Sequence, residues 1–308
     1  MATPTTQEMT TKTDVFQVTP SRVLSYAITS PSPPPPAGAT HRPFVLLSSA
    51  LSAPFTIWDP VVPHLLRLGF DVLRHDAPGH GRSGLPANLC STTFESLAAD
   101  VHALLAHLRI ARLHAWVGVS LGAATAIVFA ALYPGVVERL VPCDTLSRSP
   151  VNAGTQDGFG ARVATAREDG NMRTSIEVTL ERWCGRAWLD SHHDEAERAR
   201  GVMRGTSVDG FDTCCWALRS SSFDLRPLAA RAGAHVEAAM LLVGEKDVGL
   251  FQTMEELRRG IETGLRSRKG QNAAVALKIV RNGGHVCFID GFASFIDLFT
   301  TFLTSTST

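Results

Sequence analysis

A serine stands between two glycines in Gly118-Val119-Ser120-Leu121-Gly122. A serine hydroxyl is a poor nucleophile at neutral pH, so it needs a base within reach and a carboxylate to orient that base. The G-x-S-x-G pattern provides the setting when a strand runs into it and a helix leaves it. The serine then sits on a sharp, strained turn, and the glycines let strand and helix approach closely. Asp247, in Gly244-Glu245-Lys246-Asp247, and His285, after Asn282-Gly283-Gly284, follow in the order serine, acid, histidine. Ser120, Asp247 and His285 are therefore the candidate catalytic set, and the chemistry they fit is acyl transfer. The N–H of Leu121 and a second backbone N–H, assigned by position to Leu51, would hold the developing oxyanion.

Each member has a competitor. Asp144 follows the strand that ends at Cys143, a second position from which an acid can serve the same histidine. His80 lies in a loop near the expected site and rivals His285. Glu245 reads as a solvated turn residue. No histidine pair has the i, i+4 spacing and third ligand of a zinc site, and the six cysteines form no C-x-x-C pair, so no metal is expected. Gly79-His80-Gly81-Arg82-Ser83-Gly84 matches G-x-G-x-x-G, but Asp76-Ala77-Pro78 precedes it and Leu85-Pro86 follows it. A dinucleotide fingerprint opens a helix directly, so this segment reads as a turn and no cofactor is expected.

Positioning these residues requires particular elements. Strand-like apolar runs at 44–48, 70–75, 113–119, 136–143, 238–244 and 275–280 alternate with helical patterns at 59–68, 94–108, 121–133, 250–262 and 288–303. That alternation implies a mostly parallel sheet flanked by helices, an α/β fold. It breaks between 145 and 225, a polar, arginine-rich and helix-like stretch. The expected organisation is a disordered N-terminus at 1–14, a core formed by 15–144 and 226–308, and a helical lid inserted at 145–225 over the carboxyl ends of the strands. Short β-like runs at 15–18 and 22–29 precede a proline-rich surface loop at 31–36.

Composition narrows the partners. The 308 residues carry 29 Lys plus Arg against 29 Asp plus Glu, and no basic stripe, which argues against nucleic acid and for a small molecule. Residues 115–133 lack charge over the length of a membrane span, but their glycines, serine and β-like opening read as a buried strand turning into a buried helix. No membrane association is expected. With no apolar leader apparent and cysteines that read as thiols, a cytoplasmic location is the expectation. Oligomeric state is open.

From residue 15 onward the chain resembles the α/β-hydrolase superfamily, and more narrowly the 3-oxoadipate enol-lactonases. The resemblance rests on Leu47-Ser48-Ser49-Ala50-Leu51 with Trp58-Asp59-Pro60, on Arg74-His75-Asp76 with Gly79-His80-Gly81-Arg82-Ser83, on the serine motif and on Gly284-His285. It extends to Thr179-Leu180-Glu181-Arg182-Trp183 and Cys214-Cys215-Trp216-Ala217-Leu218-Arg219 in the lid. It implies an α/β-hydrolase fold and hydrolysis of a lactone through an acyl-enzyme on Ser120. A substrate carboxylate would be met by Arg182 beside Trp183, with Ser49 and Trp216 as further substrate-binding candidates. Ser49-Ala50 with Ser52 stands where the family commonly has His-Gly or Asn-Ser with glycine. An ester in place of the lactone, cofactor-free C–C hydrolysis or perhydrolysis, and a ligand-binding or sensor protein with little turnover remain alternatives on the same scaffold.

Overall fold

The computed structural model describes residues 9–32 and 42–305. Its strands are β1 Met9–Thr19, β2 Arg22–Pro31, β3 Phe44–Ser48, β4 Asp71–His75, β5 Leu113–Val119, β6 Val137–Cys143, β7 Ala238–Gly244 and β8 Ala276–Val280. They form one sheet in the order β1-β2-β4-β3-β5-β6-β7-β8. β2 pairs antiparallel with β1 and β4, and every other pairing is parallel. The parallel strands β3 and β4 are buried along their whole length, as strands covered by helices on both faces must be.

Helices α1 Val62–Arg67, α2 Phe94–His107 and α3 Leu121–Leu132 connect the first parallel strands. The Thr93 and Ser96 side chains cap the backbone of α2 reciprocally, which fixes where that helix begins. α3 is buried from Leu121 through Ala131, so the uncharged 115–133 run is sheet strand and central helix together. Among the described residues no helix is long and apolar enough to cross a membrane.

Between β6 and β7 the chain runs through α4 Pro150–Ala153, α5 Gly158–Asp169, α6 Arg173–Cys184, α7 Arg186–Ser191, α8 His193–Met203, α9 Val208–Arg219 and α10 Arg226–His235. α11 Phe251–Lys269, α12 Cys287–Asp290 and α13 Phe292–Thr304 complete the fold. α10 and α11 pack with backbones almost touching: a Cβ at Gly264 would lie 1.8 Å from the Ala230 carbonyl oxygen, and one at Gly233 would lie 1.9 Å from that of Ile261.

Two expectations need correction. Residues 9–14 are the start of β1, not irregular chain, because their backbone pairs with β2 from Met9↔Pro31 onward. A polar edge strand needs no apolar alternation when backbone hydrogen bonds to its neighbour define it. The last helical pattern is broken at Gly291, which separates α12 from α13. Residues 1–8 of the expected disordered terminus and most of the proline-rich loop lie outside the described residues.

Candidate active site

β5 ends at Val119 and α3 begins at Leu121, leaving Ser120 alone in the turn with φ 53° and ψ −114°. A positive φ is costly for a residue with a Cβ and persists where its surroundings enforce it. Here they do. The Ser120 N–H donates to the Cys143 carbonyl at 2.9 Å, and the Ser120 carbonyl accepts the Ala124 N–H at 3.0 Å. The glycines are required by space: a Cβ at Gly118 would lie 2.5 Å from the Gly122 backbone, and one at Gly122 would lie 2.5 Å from the Ser48 carbonyl oxygen. Ser48 itself is fixed, its Oγ accepting the Trp116 indole N–H at 2.7 Å.

The loops after β7 and β8 bring the other two side chains to this turn. His285 Nε2 lies 2.9 Å from Ser120 Oγ, and His285 Nδ1 lies 2.6 Å from Asp247 Oδ2. The carboxylate fixes the tautomer that leaves Nε2 free to accept the serine proton. The His285 N–H donates to the Trp183 carbonyl at 3.1 Å, so the end of α6 holds the histidine loop from above. Burial pushes His285 below its ordinary pKa, which favours the neutral, proton-accepting form; Asp247 opposes that shift and Arg182 adds to it.

A cavity of about 320 Å³ opens over this relay, within the range of small-molecule sites. Ser120, His285, Asp247 and Leu51 line it from the sheet side, and Phe159, Arg162, Arg182, Trp183 and Leu218 line it from the inserted helices. The Leu51 and Leu121 N–H groups find no acceptor among the described residues. The sequence matches the family described as alpha/beta hydrolase fold over residues 43–188. A protein of Variovorax paradoxus (strain S110) named for carbamate hydrolysis, RutD, is 31% identical over 201 residues, 64% of this chain and 73% of that one. The chain belongs to the α/β-hydrolase family.

Solved α/β-hydrolase structures superpose over nearly the whole chain. The enol-lactonase from Burkholderia xenovorans LB400 is 27% identical with a TM-score of 0.75, covering 92% of this chain and 97% of that one. A hydrolase from Pseudomonas aeruginosa PA01 is 24% identical with a TM-score of 0.77, covering 95% and 98%. The first supports closeness to enol-lactonases; the second speaks for the fold alone. Family membership sets hydrolysis as the reaction class.

Within this frame the rival residues are sorted by position. Asp144 is fully buried, and its Oδ1 accepts the Gly244 N–H at 2.7 Å while Oδ2 has no partner. Burial, with the Asp247 charge beside it, raises its pKa well above its ordinary value. His80 is also fully buried and does not meet Ser120; its Nε2 accepts the Ser52 N–H at 3.0 Å. The G-x-G-x-x-G segment opens no helix and forms a turn whose Gly79 and Gly81 take positive φ.

Arg182 and Trp183 line the cavity, and the Trp183 indole N–H is buried and unpartnered among the described residues. Arg182 keeps accessible surface yet is crowded by protein. Desolvation first, then the neighbouring Arg162, lowers its pKa to about 10, so it stays cationic at neutral pH. Two other candidates are not at the cavity. Ser49 faces a separate small cavity behind the serine turn, and its contribution here is the carbonyl that accepts the Gly122 N–H at 3.0 Å. Trp216 falls off the buried Phe211, Cys214, Cys215 and Leu218 face of α9, leaving it 38% exposed with the Arg219 guanidinium over its ring. Sequence reasoning missed Arg162. It lies on the polar helix α5, donates to Thr179 Oγ1 at 3.2 Å and stacks near Phe159 and Phe211.

Proposed function

We propose that this α/β hydrolase opens a small lactone, or cleaves a small ester, through an acyl-enzyme on Ser120. The observation that carries the reading is the continuous relay from Ser120 Oγ to His285 to Asp247, open to a cavity that also holds two arginines. In the reaction His285 Nε2 takes the hydroxyl proton as Ser120 Oγ attacks the carbonyl carbon. The carbonyl oxygen becomes an oxyanion held by the Leu51 and Leu121 N–H groups. Collapse breaks the ring C–O bond, and the imidazolium returns its proton to the leaving oxygen, which in a lactone stays tethered to the acyl group. Water, deprotonated by the same imidazole, then releases the ring-opened acid and restores Ser120.

The charge of the cavity narrows the substrate. Among the described residues neither Arg162 nor Arg182 is ion-paired with a carboxylate, and the cavity carries the single acid Asp247, which is bonded to His285. Two cations at one wall suit a substrate with a carboxylate distant from the scissile bond, with Arg182 as its donor. The segment 145–225 serves as a lid, since its side chains close the cavity opposite Ser120.

The test is a panel of lactones and esters, with and without a remote carboxylate, assayed with product identification. Multiple turnover on a carboxylate-bearing lactone, lost in Ser120→Ala while the protein remains folded, is the expected result. Turnover that survives Ser120→Ala removes the serine mechanism. If a phosphonate fails to label Ser120 and nothing on the panel turns over, the ligand-binding alternative takes its place.

A further inference from the structure

Ser52 occupies a backbone conformation its own side chain disfavours. The Ala53 N–H donates to the Ala50 carbonyl at 3.1 Å, closing a four-residue turn in which Ser52, third in order, has φ 70°. Leu51 before it is not left-handed, so the turn is of type II, which ordinarily takes glycine at this place. Nothing in the serine repays the strain: Ser52 Oγ is buried without a partner. The compensation comes through the backbone N–H, which meets His80 Nε2 at 3.0 Å. His80 Nδ1 lies 3.0 Å from the Pro78 carbonyl, which can only accept. That pins the proton to Nδ1 and leaves Nε2 as the acceptor.

The support for this turn is broader than one bond. Asp76 Oδ1 accepts the Phe55 N–H at 2.6 Å, so the loop after β4 grips the loop after β3 at two points. That gripping loop is in turn anchored to the inserted helices, with the Gly81 N–H on the Gly205 carbonyl at 2.8 Å and the Ser207 N–H on the Gly79 carbonyl at 3.0 Å. The turn so held contains Leu51, the residue with an unpartnered N–H at the cavity.

We infer that His80 is a positioning residue for oxyanion binding: by accepting the Ser52 N–H it holds the left-handed turn that presents the Leu51 N–H beside Ser120. The inference rests on the serine-hydrolase reading above. Without the imidazole, Ser52 relaxes toward negative φ and carries the neighbouring Leu51 backbone with it. A displacement of about 1 Å at a catalytic donor is enough to cost roughly a hundredfold in rate.

The experiment compares His80→Ala, His80→Gln and the double variant His80→Ala with Ser52→Gly, using kcat, KM, the rate of Ser120 phosphonylation and Tm. His80→Ala should lower kcat by roughly ten- to a hundredfold, slow phosphonylation in parallel and leave KM nearly unchanged. Gln offers a carboxamide oxygen to the Ser52 N–H and should recover most of kcat. Glycine at 52 takes positive φ without strain, so the double variant should regain kcat while Tm stays lowered by the missing imidazole. Retained kcat with a lowered Tm in His80→Ala would make the residue merely structural and overturn the inference, as would a double variant no faster than His80→Ala. If His80→Ala does not fold, His80→Asn, too short to reach Ser52, against His80→Gln provides the same contrast, and equal kcat values refute the role. Ser120→Ala is run alongside: activity there defeats the serine reading itself, an outcome distinct from any His80 result.

Discussion

Asp144 Oδ1 accepts the Gly244 N–H at 2.7 Å, and that bond joins the end of β6 to the end of β7, the strand that delivers Asp247. The two acids at these strand ends have separate work. Asp247 holds His285 at 2.6 Å, whereas Asp144 is sealed in, where burial and the Asp247 charge favour its neutral form. Asparagine is close to an isostere of a neutral carboxylic acid, and its carbonyl can still accept the Gly244 N–H. Asp144→Asn is therefore expected to change kcat by no more than a few-fold, while Asp247→Asn lowers it by roughly a thousandfold or more, because the amide favours the wrong histidine tautomer. Steady-state kinetics on both variants decide it, and a larger loss in Asp144→Asn would reassign the acid.

The pH profile follows from which form of His285 reacts. The base must be neutral, so activity falls as pH drops through its pKa. Burial holds that pKa below the ordinary 6.5, so the acid limb of kcat/KM should have its midpoint below pH 6.5. Arg182 contributes to the lowering by repelling the imidazolium. Arg182→Gln is accordingly expected to shift the acid limb to higher pH. The profile is measured on an uncharged ester so that substrate binding does not move with the charge, and a limb that shifts to lower pH contradicts the assignment.

How much of this was legible beforehand depends on the range of the interaction concerned. β5 and the start of α3 were readable to the residue, because seven strand residues run directly into a motif whose glycines are required by local crowding at Gly118 and Gly122. α11 runs on to Lys269, past the 250–262 pattern, and Gly264 within it is the point where α10 approaches. The beginning of β1 escaped because Met9 to Asp14 is polar and is specified by pairing with β2, not by periodicity. Ser120, His285 and Asp247 could be proposed from order along the chain. Arg162 and the His80 acceptor could not, since each depends on which element packs against which. The His80–Ser52 bond spans 28 residues and leaves no spacing signature.

Glycine substitutions should separate crowding from flexibility. Gly122→Ala places a Cβ 2.5 Å from the Ser48 carbonyl oxygen and 2.7 Å from its Oγ, the atom that holds Trp116. Backbone cannot yield cheaply there, and the expected loss is about 1–3 kcal/mol in unfolding free energy. Gly201, inside α8, has open space around its Cβ position and an ordinary helical φ. Gly201→Ala should instead stabilise by about 0.5–1 kcal/mol through the helix preference of alanine. Denaturant midpoints at constant m-value measure both, and opposite signs are the expected outcome.

Substrate charge provides the last discrimination. Arg182 reaches the cavity with no carboxylate bound to it, whereas Arg162 is partly engaged by Thr179 and by the Phe159 and Phe211 rings. Arg182 is thus the freer donor. A charge-assisted hydrogen bond contributes about 1.5–3 kcal/mol, so Arg182→Gln should raise KM roughly ten- to a hundredfold for a carboxylate-bearing lactone, with kcat nearly unchanged. For the methyl ester of the same lactone, assayed at a pH on the plateau of both proteins, the variant should behave like the parent, because the substrate has no charge left to lose. Arg162→Gln should follow the same pattern more weakly. Equal effects of Arg182→Gln on the charged and the methylated substrate would show that the arginine supports the cavity wall and does not read the carboxylate.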